Sequence, residues 1–541
     1  METNDKLIQG NQKNQEIKTI PKQKKKGKKK KIIIAIIIIL IILGAGTYFI
    51  FSQKENQEGP KEIINEYTKY RLSGSAISDF DLFFLQLENE EINKVYSPLS
   101  IKYTLAMLQE GANGTTKDQI TNIIGNYTPK KYTNSENISI ANALFINSNY
   151  QDQIKANYIN TLKEKYNANV IYDSFQTADN VNKWVKENTF DLIENIALDI
   201  TEQNFLLINT LGIDMEWVNQ IRSDKTSYYV EFPHEDFFES VPMLGLSGYH
   251  DLNFNDKENV RSLEISAVAN KYDIISEIGE ENIRKTVKEA YDQWENGGKE
   301  EQCGFQEVLP ENEITDIDAY LDKYIEDISK NYKQISSSTD FSFYTDENVK
   351  VFAKDLKEYD GTTLEYIGIM PTNENLTTYI ENMNASTINT LINSLKPIEL
   401  DSFKEGVITH IHGQIPVFET EYNLNLVNDL NKLGITDAFD SAKADFKNIT
   451  EEKFPVNEAL HKTNIKFSND GIKAASVTLS GAGAGEPCVF DYIYEVPVEE
   501  IDLTFDKPYM YLILDKDTKE VWFAGTVYNP DKYQESDGDF K

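Results

Sequence analysis

Five histidines and two cysteines are all that this chain offers for imidazole or thiol chemistry. His410 and His412 stand two residues apart, so on a strand they share a face and could hold a metal ion. Zinc usually takes at least three protein ligands, and no third is identifiable in the sequence. The pair therefore reads as an exposed strand face, and no metal site is assigned. Cys303 and Cys488 are too few for a disulfide-dense scaffold or a multi-cysteine metal site. They read as two unrelated thiols, with pairing in an oxidising compartment left open. An enzyme needs a nucleophile with its base, a metal cluster or a cofactor cradle. The sequence has no Gly-x-Ser-x-Gly elbow, no phosphate-cradling glycine loop and no HExxH. Acidic pairs such as Glu499-Glu500 are expected by chance in a chain with 88 Asp+Glu. No catalytic residue and no cofactor is assigned, and the chain is not expected to be an enzyme.

The stretch from His461 to Pro508 carries a different signal. It opens strand-like, with Thr463-Asn464-Ile465-Lys466-Phe467, and a turn follows at Ser468-Asn469-Asp470-Gly471. Small residues come next, Ala474-Ala475-Ser476-Val477-Thr478, then the flexible tract Gly481-Ala482-Gly483-Ala484-Gly485. A second strand-like patch, Glu500 to Phe505, ends before Lys507-Pro508. With period 2, Ile472, Ala474, Ser476, Thr478, Ser480, Ala482 and Ala484 share a face that has no charge and little bulk. Such a face could slide into a closed sheet over a packed core. An ordinary Gly/Ala linker between two strands is the plainer reading of these residues alone.

The surroundings shift that balance. His461-Lys462-Thr463, the alanine-rich run after Gly471, Phe505-Asp506-Lys507-Pro508-Tyr509 and the ending Phe523-Ala524-Gly525-Thr526-Val527-Tyr528-Asn529-Pro530 resemble the reactive-centre region of the serpins. Upstream, Ser97-Pro98-Leu99-Ser100-Ile101 leads into Ala106 to Ala112 and Gly114-Thr115-Thr116, as at the second helix of that family. Ile208-Asn209-Thr210, with Trp217 beyond it, resembles its central strand. Ile415-Pro416-Val417-Phe418 and Leu433 to Phe439 are similar to two further signatures, so the likeness spans most of Phe80–Pro530 in the family's order.

The resemblance implies an α+β serpin fold with three β-sheets, about nine helices and an exposed reactive-centre loop. It implies a hinge at Gly471, Ile472, Ala474, Ala475, Ser476 and Thr478. A polar cluster beneath the central sheet is implied at Ser97, Ser100, Asn209 and His461, with Trp217 at the top of the sheet. The implied function is suicide-substrate inhibition of a serine or cysteine endopeptidase. The protease attacks the loop, and the cut loop inserts as a new strand that carries the acylated enzyme away. From Gly471 to Gly485 such a strand spans roughly 46 Å. Three features depart from the family pattern. The turn reads Asn469-Asp470 where acidic residues are favoured, and Ile472 stands where inhibitory members usually have Thr or Ser. Gly471 and Pro508 are 37 residues apart, which is longer than usual. Counting forward puts the reactive bond at Gly485-Glu486, and counting back puts it near Pro497-Val498. Cys488, Phe490, Tyr492 and Tyr494 lie between as candidate recognition residues. A serpin-fold protein that binds a ligand or partner without inhibiting is the alternative, and a monomer is expected.

Composition frames the rest. Of 541 residues, 40% are hydrophobic, with 30 Tyr and 27 Phe, enough for a large core. Residues 1–31 carry 11 of the 54 basic residues and 3 of the 88 acids, so the remainder is strongly acidic and should repel nucleic acid. Ile32 to Phe51 is an uncharged run of 20 residues behind the lysines of 22–31. As a helix it is roughly 30 Å long, about the hydrocarbon thickness of a bilayer. The reading is an uncleaved signal anchor, with the lysine arm cytoplasmic and everything after Phe51 outside the cell. The expected plan is a basic arm at 1–31, a transmembrane helix at 32–51 and a connector at 52–73. A serpin domain follows over 74–530, with a helical insertion at about 240–340, and then a polar tail at 531–541.

Overall fold

A computed structural model describes residues 70–72, 77–196, 199–219, 221, 262–296, 316–453, 455–456, 459–468, 471–472 and 497–530. The chain divides after Lys61, and every described residue belongs to the second unit. Ile32–Phe51 and the lysine arm lie outside the described residues. Among the described residues no helix is long and apolar enough to cross a membrane.

The chain opens with α1 (Asp79–Leu87), β1 (Lys94–Tyr96), α2 (Pro98–Gly111), α3 (Gly114–Ile124) and β2 (Ile138–Asn147). It continues through α4 (Ala156–Tyr166), β3 (Asn169–Asp173), α5 (Asp179–Glu187), β4 (Phe205–Ile213) and β5 (Met215–Glu216). Next are β6 (Ser262–Asn270), α6 (Ile274–Ile278), α7 (Glu280–Asn296), α8 (Ile317–Asn331), β7 (Gln334–Ser337), β8 (Ser342–Thr345), β9 (Val349–Asp355) and β10 (Leu364–Pro371). Then come α9 (Leu376–Asn382), α10 (Ala385–Asn393), β11 (Lys396–Pro397), β12 (Ile408–Pro416), β13 (Phe418–Asn425) and α11 (Leu426–Lys432). The last strands are β14 (Leu460–Phe467), β15 (Gly471–Ile472), β16 (Val498–Asp502), β17 (Tyr509–Asp515) and β18 (Val521–Val527).

A seven-stranded sheet in the order β1-β18-β17-β10-β9-β8-β11 forms the main platform. Every residue of β17 and β18 is buried, which is why both read as continuous apolar runs instead of alternating ones. A four-stranded sheet runs β16-β12-β6-β7. Two further groups run β3-β2-β4 and β13-β14-β15-β5. The backbone of Asp214 joins β4 to β5 in unbroken register, its N–H donating to Asn137 O at 2.9 Å. These two groups are therefore halves of one sheet that has opened between β4 and β14.

That opening gives four hydrogen-bonded sheets among the described residues, where three were expected. The described residues also form eleven α-helices instead of about nine. Three of them, α6 to α8, lie between β6 and β7, which pair directly from Ala267↔Ser337 to Asn270↔Gln334. Helix α7 buries Ile283, Val287 and Tyr291, at helical spacing, and α8 buries Tyr320, Leu321 and Tyr324. Arg284 ties the pair, reaching Glu280 and Asp322 at 2.8 Å each. Tyr422 to Leu433, which reads as one helix in sequence, is divided: Tyr422 to Asn425 belongs to β13. There burial alternates along Phe418–Asn425, and pairing with β14 overrides local helix preference. Helix α5 stops at Glu187.

Helix α2 packs on both β4 and β18, and a buried ion pair holds it there. Lys102 Nζ lies 2.6 Å from both Asp81 on α1 and Glu520 beside β18. Burial works against its charge, but Asp81 and then Glu520 outweigh that and hold the ammonium above its usual range. The N-terminus of α2 thereby comes to rest beneath the split.

Candidate functional site

Strand β4 pairs with β2 along one edge only, from Ile138↔Ile213 to Ile146↔Phe205. Among the described residues, strand β14 pairs with β13 along its full length, and across the split with Ile472, opposite Phe467. Among the described residues, two strand edges thus face one another without a strand between them, a template for backbone pairing. The cleft they frame holds about 150 Å³ and is lined by Phe205 to Leu211, His461 to Thr463, and Ser97, Ser100 and Thr104 of α2.

At the top, β15 already occupies the slot. Ile472 pairs with Phe467 on one side and Met215 on the other, and Gly471 pairs with Glu216. Ile472 is 1% exposed and joins the main core. Gly471 is required by close approach, since a Cβ there would sit 2.1 Å from Met215 O. Trp217 is fully buried, and its indole N–H donates to Ser468 O at 2.8 Å. Its ring packs edge-on against Phe467 and Tyr366. Ser468 N–H closes the turn onto Gly471 O at 3.1 Å. The tryptophan thus fixes the turn from which β15 departs.

Deeper in the cleft, three of the four expected cluster residues come together around the start of α2. Ser97 caps that helix, its Oγ accepting from Ser100 N–H at 3.0 Å, with Pro98 as the first helical residue. The Ser97 backbone N–H donates to His461 Nε2 at 2.8 Å. Because a backbone N–H can only donate, Nε2 must be unprotonated and the neutral ring carries its proton on Nδ1. Burial pushes the imidazole down to about 4, so it is neutral at physiological pH. Thr463 Oγ1, 2.9 Å from the same nitrogen, is a member that sequence reasoning missed. Its two-residue spacing from His461 on a strand was the available signal. Asn209 stands apart from this group. Its amide donates to Asn142 Oδ1 at 2.8 Å, and its own buried Oδ1 has no hydrogen-bond partner among the described residues. The open sheet separates it from His461, although both line the cleft.

Of the expected hinge, Gly471 and Ile472 are seen. Ala474, Ala475, Ser476 and Thr478 lie outside the described residues, as do Gly485, Glu486, Cys303 and Cys488. The histidine pair on β12 departs from expectation. His410 is wholly buried, not exposed, while His412 is one-third exposed. Strand β16 runs parallel to β12, with His410↔Glu500 and His412↔Asp502 in register.

The fold agrees with comparisons to known proteins. A family model described as serpin (serine protease inhibitor) matches residues 79–273 and 324–530, and the chain belongs to the serpin family. An uncharacterized serpin-like protein of Methanosarcina acetivorans is 21% identical over 500 residues, 86% of this chain and 91% of that protein. Serpin A9 of Mus musculus is 35% identical over 119 residues, 22% of this chain and 26% of its own. Among solved structures, the thermophilic serpin tengpin in its native state gives a TM-score of 0.51 at 20% identity, covering 86% of this chain and 99% of that one. Human thyroxine-binding globulin complexed with thyroxine gives 0.52 at 17% identity, covering 86% and 99%. At these identities the structures show the fold alone. Serpins are generally protease inhibitors and not enzymes, yet the fold also serves a thyroxine-binding globulin. Residues 274–323, which contain α6, α7 and the start of α8, lie between the matched spans.

Proposed function

We propose that this protein inhibits a serine or cysteine endopeptidase by inserting its cleaved loop into the slot between β4 and β14. The observation that carries the reading is β15, which has entered the slot for two residues and sets a register on both sides. Continuing the pairs Ile472↔Met215 and Ile472↔Phe467 antiparallel down the cleft brings Thr478 opposite Asn209 and His461 together. Opposite residues of an antiparallel pair share a face, so Thr478 turns toward the buried polar cluster. Ala474 and Ser476, at the same parity, turn inward above it. The extended register and the parity read from the sequence support the same inward face. A strand in that position also satisfies both open edges at once, which is the free-energy source for the motion.

Residues 52–541 are read as extracellular and held at the membrane by Ile32–Phe51, on the strength of the lysine arm and the span length. Residues 274–323 are read as an addition to the family fold. The test of inhibition is incubation of the full chain with a panel of serine and cysteine endopeptidases. A complex that survives boiling in detergent, with one cut mapped by mass within 479–497, supports it. Clean cleavage without a trapped complex by every enzyme that cuts the loop sinks it. A second reading, a serpin-fold binding protein, draws support from Ile472. It stands where inhibitory members of the family usually have Thr or Ser.

A further inference from the structure

Helix α11 carries a buried acid whose partner is another acid. Asp429 is 1% exposed, and its Oδ2 has no hydrogen-bond donor among the described residues. Glu88, the half-buried residue that caps the C-terminal end of α1, meets the Asp429 carboxyl at hydrogen-bonding range. Two carboxylates cannot hydrogen-bond to each other, because both only accept. Ionised side by side and away from water, they repel. A single proton between them removes that repulsion, since a neutral carboxyl donates to its ionised neighbour.

We propose that Asp429 and Glu88 share one proton at neutral pH, and that this proton latches α11 onto the end of α1. The surroundings favour the protonated pair. Burial first, and then the charge of Glu88, hold the Asp429 carboxyl up at about 7, with Lys432 working the other way. The other titratable groups nearby are Glu90 after α1, Lys94 on β1 and Tyr422 on β13. Lys94 is buried, its Nζ has no hydrogen-bond partner among the described residues, and burial lowers its pKa against the pull of Glu90 and Glu88. Tyr422 is pushed up to about 12 by burial and then by Glu88, Glu90 and Asp429, so it stays a neutral phenol.

The latch bears on the slot. At the start of α11, Leu426 N–H donates to Ala459 O at 2.8 Å, just ahead of β14, and both residues line the cleft at the end away from β15. Loss of the shared proton sets two charges face to face, loosens α11 and frees the foot of β14. An unfolded Asp titrates near 3.9, so between about pH 4 and 7 the folded chain keeps a proton that the unfolded chain has released. Stability from the pair is therefore present at low pH and is lost as pH rises through about 7. His461 acts in the opposite direction, and its contribution is already complete above about pH 6.5. The assignment stands whether or not the loop traps a protease.

The urea midpoint of the full chain should fall between about pH 6.5 and 8, a window in which His461 adds nothing further. Asp429→Asn sets a donating amide against Glu88 with no proton to lose. Its midpoint should stay level over that window and exceed the parent's at pH 8. Glu88→Gln, at a half-buried side chain, should flatten the window too, because Asp429 then ionises beside an amide donor. Infrared difference spectra of parent against Asp429→Asn should show a neutral carboxyl stretch at pH 6 that disappears by pH 8. A midpoint that falls equally in parent and Asp429→Asn overturns the proposal. So does the absence of that band at pH 6. If Asp429→Asn does not fold, the same two readouts on Glu88→Gln decide the matter.

Discussion

Thr478 is the residue on which the register can be tested most directly. Its predicted place between Asn209 and His461 is buried and lacks a carboxylate among the residues that line the cleft at that level. Thr478→Arg therefore has to bury an unpaired charge as the strand closes, at a cost on the order of 3–5 kcal/mol. We predict normal folding and cleavage but a change from inhibitor to substrate, while Val477→Arg, of opposite parity, loses much less. The stoichiometry of inhibition decides the matter, and an unchanged value in Thr478→Arg removes the register. His461 supplies a pH test. Its folded-state value of about 4 lies below the roughly 6.5 of an unfolded chain, so the fold prefers the neutral ring. Stability from this preference is fully present above about pH 6.5 and is lost as pH falls toward 4. Protonation places a hydrogen on Nε2 facing the Ser97 N–H. The loss is on the order of 2–3 kcal/mol. It should appear as a fall in urea midpoint from pH 7.5 to 4.5 that is distinctly smaller in His461→Gln.

At the scale of elements, β15 shows how much of the slot can be filled before cleavage. Among the described residues two pair and the rest of the edge has no strand beside it, so insertion after cleavage adds a ladder on each side of a new strand. We predict that nicking within Leu479–Pro497 raises the melting temperature. A gain of a few kcal/mol moves a chain of this size by about 5 °C or more. Equal melting curves for intact and nicked protein argue for a loop that stays out. Gly471→Val tests the entry point from the other direction. With Met215 O in the space of any Cβ, the substitution should expel β15. Its readout is faster hydrogen exchange at Met215–Glu216 while β17–β18 stay protected.

For the whole molecule, the division of charge bears on topology. The lysine arm before an uncharged run of 20 residues predicts that protease added to intact cells shaves the acidic part and leaves the arm. A mature chain that begins near Phe51, or an acidic part that is protected, argues against an anchor.

Local pattern was enough for α7, whose buried Ile283, Val287 and Tyr291 stand at helical spacing, because such spacing is a property of neighbouring residues. Parity along a strand also puts Ile472 on the inward face, and Ile472 is buried; the residues of that face beyond it lie outside the described ones. What escaped it depends on partners far away in sequence. Tyr422 to Asn425 has helix-compatible spacing and is a strand because β14 pairs with it. Ser97 was read as a member of a cluster, but only the packing of α2 against β4 and β18 aims its backbone N–H, and not its hydroxyl, at His461. Asn209 was expected there too, and the open sheet leaves it on the far side with Asn142. His410 looked like half of an exposed pair, because nothing in the residues around it announces Glu500. A parallel register between strands 90 positions apart brings that carboxylate to it. The sequence by itself determined which segments could be strands and which face of each was apolar. The tertiary structure decided which edges meet, because backbone pairing between distant strands is set by the packing of the whole core and leaves no periodic trace in either strand.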